Sequence, residues 1–213
     1  MSVNNLPINY KILENFCNEP EQEVQNIKSS FDKHIELAEG TTFRPKLMLF
    51  DYFKNKKFGL SSRQYVDLTD LYATVSEMMY SFSAFSAYSC VLVLDTNLNT
   101  SDDSQQGGPT GALFVYFASE DHAIVIKLYY SINESNVVTW FTNKDSFDEI
   151  TIESLADESY RNNKILELLF IHTHIDSAPF SQPELLSYYS LKGYNFKPFR
   201  DLKTSYMDFS YKN

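Results

Sequence analysis

Two histidines one residue apart, His172 and His174, close the apolar run at residues 164–171. In an extended strand, side chains at i and i+2 point to the same side. The two imidazoles would then face one point in space, which is half of a divalent metal site. The chain has 4 histidines in all, so the pair does not follow from a His-rich composition. Zinc held by three protein ligands keeps a fourth position for water and lowers the pKa of that water to roughly 7. A carboxylate beside it could take the proton as the water attacks a carbonyl.

Downstream the chain reads Asp176-Ser177-Ala178-Pro179-Phe180-Ser181-Gln182-Pro183-Glu184-Leu185. With the two histidines, this segment resembles the JAB/JAMM family of zinc metalloproteases, whose motif is H-x-H, a short loop, then S-x-x-D. The resemblance implies that His172 and His174 are zinc ligands and that Ser181 helps to stabilise the tetrahedral intermediate. It also implies Glu184 as the third ligand, with Asp176 as the alternative oxygen ligand. Two departures from the family pattern stand out. Glu184 replaces the aspartate, and the gap from His174 to Ser181 is one residue short. A side chain one methylene longer could reach the same metal from a shorter loop. The family also uses a glutamate from an earlier strand as general base. Glu120, between two strand candidates, is the residue that fits; Glu134 sits in a turn, and Asp95 has the shorter side chain.

Plainer readings compete at the same residues. Ser181-x-x-Glu184 is also a capping box, and Pro183 in the first helical turn suits it. His172, His174 and Asp176 match the H-x-H-x-D of metallo-β-lactamase-like hydrolases, but that family needs further histidines and none follows His174. His34 and His122 read as surface residues, His122 being a neighbour of the site if Glu120 is. No G-x-S-x-G elbow or Walker loop occurs.

The elements that would position these groups follow from periodicity. Val24, Ile27, Phe31, Ile35 and Ala38 predict a helix over 21–39, with Gly40 as its stop. Leu68, Leu71, Tyr72, Val75, Met78, Met79 and Phe82 predict a second over 67–85. The apolar run 89–94 reads as a strand covered on both faces. A long polar loop, 97–111, precedes strand candidates at 112–118, 122–130 and 136–142. An acidic connection, 145–158, is expected to be helical in part. Residues 164–171 read as the strand that delivers the histidines, 182–191 as a short helix, and the aromatic tail from 193 as one or two edge strands. The whole predicts an α+β fold, a single domain with a mixed or antiparallel sheet flanked by helices. Residues 1–60 are read as an N-terminal helical extension and 61–213 as the JAMM-like domain.

Composition narrows the function. The 213 residues are 43% hydrophobic and carry 17 Phe and 15 Tyr, ample for a core. A net charge of −10 argues against a nucleic-acid partner and suits a basic protein partner. The densest basic group, Lys54, Lys56 and Lys57, reads as a solvated turn. Cys17 and Cys90 are too few for a disulfide framework or a Cys-based zinc site. No apolar run approaches the roughly 20 residues that span a bilayer. The start lacks a basic segment followed by an apolar one, so synthesis in the cytoplasm is expected, with delivery by a route needing no cleavable signal left open. Two functions remain. One is a zinc-dependent hydrolase of a peptide or isopeptide bond in a protein substrate, for which the resemblance implies a bacterial toxin or effector setting. The other is a non-catalytic interaction protein: an inhibitor, an immunity protein or a degenerate JAMM-like scaffold.

Overall fold

Strict alternation of side chains along the strands explains the architecture, because both faces of the sheet are apolar and both must be covered. The computed structural model describes residues 8–37, 43–97, 108–120, 122–151 and 163–173. Their elements are α1 (Tyr10–Leu13), α2 (Pro20–Leu37), β1 (Lys46–Phe50), β2 (Lys56–Ser61), α3 (Leu68–Ala84), β3 (Ser89–Asn97), β4 (Gly111–Ala118), β5 (His122–Ile132), β6 (Val138–Trp140), β7 (Ser146–Thr151) and α4 (Lys164–Thr173). The strands form one seven-stranded sheet in the order β2-β1-β3-β4-β5-β6, with β7 also on β5. Every pairing is antiparallel. β5 is long enough to hold β6 at Tyr130–Ile132 and β7 at His122–Lys127. This is the α+β fold that the periodicity predicts.

Leu47, Leu49, Cys90, Leu92, Leu94, Tyr116, Ala123 and Val125 pack with α3 and α4 on one face. Val91, Val93, Leu113, Val115, Phe117, Ile124, Ile126 and Leu128 pack with α1 and α2 on the other. Each large aliphatic side chain fully removed from water contributes about 1.5–3 kcal/mol. This double coverage makes the central strands near-continuously apolar.

Four expectations change. Residues 164–171 are helical, not extended. The Asn163 side chain accepts from Leu166 N at 3.2 Å, an N-cap that starts the helix. The Leu-rich, Lys- and Glu-containing sequence favours helix, and an apolar run of this length carries no decisive period. Second, the start of the acidic connection is strand β7, in register with β5. Third, the boundary drawn at residue 60 falls inside β2. β1 pairs with the central strand β3, so residues 46–61 belong to the sheet and not to an appendage. Fourth, the strand candidate at 136–142 contracts to β6, three residues long. The helix expected at 182–191 and the tail strands lie outside the described residues.

Candidate functional site

His172 sits in the last turn of α4 and is wholly buried. It shares a helix face with Ile165 and Leu169, spaced by four, three and seven residues, and that face meets α3. On α3, Ser76 and Tyr80 are one turn apart and both reach the imidazole. His172 Nε2 and Ser76 Oγ are hydrogen-bonded at 3.2 Å. The Tyr80 ring meets the imidazole edge-on, with centroids 5.0 Å apart. Burial pushes the His172 pKa down to about 3, so the ring is neutral at physiological pH.

The same-side argument for the histidine pair required a strand. On a helix, residues two apart diverge by about 200°, and His172 is helical. His174, Asp176, Ser181 and Glu184 lie outside the described residues. Glu120 is exposed, in the turn that closes β4 and β5. His122 begins β5 and turns to the opposite face of the sheet. Its ring lies 5.5 Å from Phe16, and its Nε2 is 2.8 Å from Glu149 Oε1. His34 is half-buried and packs edge-on against Phe43. Among the described residues, no group of three or more His, Cys, Asp and Glu could hold a metal ion. The surroundings of His172 do not fit zinc. Its Nε2 is engaged by a hydroxyl, and the ring is enclosed between two helices.

Two clusters escape a motif search. On the α2 face, Tyr130 Oη donates to Asp95 Oδ1 at 2.7 Å, and Tyr65 Oη donates to the Asp95 carbonyl at 3.3 Å. Burial raises the Asp95 carboxyl pKa, against the opposing pull of the Tyr130 bond and the His34 charge. Tyr130 crosses directly over Gly111, its register partner, where a Cβ would stand 2.3 Å from the ring. This cluster ties β3 to β5. The second is a set of exposed aromatic rings. Tyr52 and Phe53, in the β1–β2 turn, meet at 5.8 Å, and Tyr52 meets Tyr88 at 5.4 Å. The sequence signal was the pair Tyr52-Phe53 set in a polar, lysine-rich turn.

Among the described residues, no helix is long and apolar enough to cross a membrane. No family model matches the chain, and neither a curated protein nor a solved structure gives a match.

Proposed function

We propose that the chain is a non-catalytic interaction protein. The observation that supports this reading best is the packing of His172, buried between α4 and α3 on Ser76 and Tyr80. A histidine held this way positions a helix and does not present a ligand to a metal. Exposed aromatic side chains, the usual anchors of protein interfaces, add support. Metal analysis of the purified full-length protein tests the reading. Zinc well below one equivalent is expected, unchanged by a His172→Ala/His174→Ala double substitution.

The zinc hydrolase stays as the second reading, favoured by the sequence pattern of His172, His174, Ser181 and Glu184. It requires His172 to leave Ser76 and join His174. One equivalent of zinc in the wild type, lost in the double variant, together with cleavage of a peptide or isopeptide bond, would overturn the first reading in its favour.

A further inference from the structure

We propose that the side-chain amine of Lys46 is a nucleophile that takes up an acyl group from a small activated donor of the acyl phosphate class. The inference goes beyond the interaction reading and stands independently of it. Lys46 opens β1 and lies opposite Ser61 of β2 and Val93 of β3. Its side chain reaches the α2 face, where Nζ donates to Ser30 Oγ and lies 4.8 Å from the centroid of the Phe43 ring. Ser30 and Lys46 belong to different elements, and the packing of α2 on the sheet brings them together.

What marks this amine is the partner it lacks. Lys28, Lys56 and Lys127 each face a carboxylate, on Asp145, Glu23 and Asp148 respectively. Among the described residues no carboxylate pairs with Lys46, although the chain carries 28 acidic residues against 18 basic ones. The titratable side chains of this face have contacts of their own. Asp95 accepts from Tyr130, and His34 packs edge-on against Phe43. A hydroxyl oxygen and a ring face return part of the hydration that the half-buried ammonium gives up, but no full negative charge does. Burial therefore pushes the Lys46 pKa down. At neutral pH a larger share of it is free amine than in a lysine surrounded by water.

The free amine is the form that attacks an acyl carbon. Its lone pair forms the N–C bond. The C–O bond to phosphate breaks, phosphate leaves with the electron pair, and the proton shed by the nitrogen goes to the departing phosphate. The product is an uncharged amide. It removes a half-buried charge that no anion compensates, so the fold favours the acylated form over the ammonium. Partial burial of Nζ restricts the donor to a short acyl chain, for which the Phe43 ring offers an apolar wall. The Ser30 hydroxyl fixes the direction from which the nitrogen can attack.

Incubation of the full-length protein with acetyl phosphate at neutral pH, read by peptide mass spectrometry, tests this. Lys46 should be acetylated severalfold faster than Lys11 and Lys33, both of which are exposed. Restricted access alone would give the opposite order, because it hinders the reagent. In concentrated urea the three lysines should react alike. Ser30→Asp supplies the missing anion and holds Lys46 as ammonium, so it should bring the rate at Lys46 down to that of Lys11 or below. Lys46→Arg should remove the fast step from acetyl uptake by the intact chain. Unchanged circular dichroism verifies that these variants fold, and the comparison of native with urea-treated wild type needs no variant. Acetylation of Lys46 in the native protein no faster than that of the exposed lysines would overturn the proposal. So would an acetyl group found on Ser30 in its place, or a preference for Lys46 that survives urea or Ser30→Asp.

Discussion

His172 shows how one side chain can carry two opposite meanings. A neutral imidazole is the form that binds metal, and it is also the form that burial enforces. Its partners distinguish the two, and here they are the Ser76 hydroxyl and the Tyr80 ring. The buried ring has a measurable consequence. Its folded pKa of about 3 lies far below the value near 6.5 of an unfolded chain. Between those values the unfolded state binds the extra proton. The stability due to His172 is therefore complete above about pH 6.5 and is lost as pH falls toward 3. The loss between pH 7 and pH 5 should be about 2 kcal/mol. Urea unfolding at the two pH values, compared between wild type and His172→Phe, checks this; equal pH dependence in both would refute it. The comparison is needed because burial shifts Asp95 and Asp145 upward, and raised carboxyls act in the opposite direction.

At the level of elements, the contact between β4 and β5 depends on a missing side chain. Gly111 lies under the Tyr130 ring, and a Cβ there would stand 2.3 Å from both Cζ and Oη. Tyr130 is nearly fully buried and bonded to Asp95, so it has little room to yield. Gly111→Ala should cost about 1–3 kcal/mol, the range for overpacking. In a Tyr130→Leu background the same change should cost much less, because the ring is gone. A double-mutant cycle by chemical denaturation reads this coupling directly, and additive effects would contradict it. The helix α4 makes the complementary point. Asn163 caps it and leucines fill it, so its helical state is local, whereas its apolar surround comes from α3 and the sheet.

For the whole molecule, the question is what locks the α2 layer to the far edge of the sheet. Lys28 on α2 lies 3.5 Å from Asp145, at the start of β7, and both side chains are largely buried. Asp145 also accepts from Tyr129 N at 3.2 Å, and Lys28 lies over the Trp140 ring. Trp140 Nε1 donates to Asp32 on the same helix. Removing one member of such a pair leaves an uncompensated buried charge. Asp145→Ala should cost about 3 kcal/mol, whereas replacing both members with apolar residues of similar size should cost less. Thermal or denaturant unfolding of Asp145→Ala and Lys28→Met/Asp145→Leu checks the order, and a double variant less stable than the single would reverse the argument.

The amino-acid sequence by itself determined the helices α2 and α3, the buried strand β3 and the strands β4 and β5. The two helices carry long apolar periods of three and four residues, and the strands are runs rich in β-branched and aromatic residues bounded by polar turns. Two features of the edges were not legible in this way. β2 is short and mostly exposed, and its alternation amounts to two core-facing residues, Phe58 and Leu60, too few to mark a strand. β7 has acids on a strand that pairs only at the margin of the sheet. The histidine pair was legible as a candidate site because its spacing and the residues after it resemble a known motif. Its orientation was not, because residues 164–171 are mostly apolar and too short a run to carry a decisive period. Only the packing against α3 decided that His172 turns into the core, and only the meeting of two distant turns brought Tyr52, Phe53 and Tyr88 together. Such contacts join residues far apart in the chain, and no local pattern encodes the partner that a side chain will find.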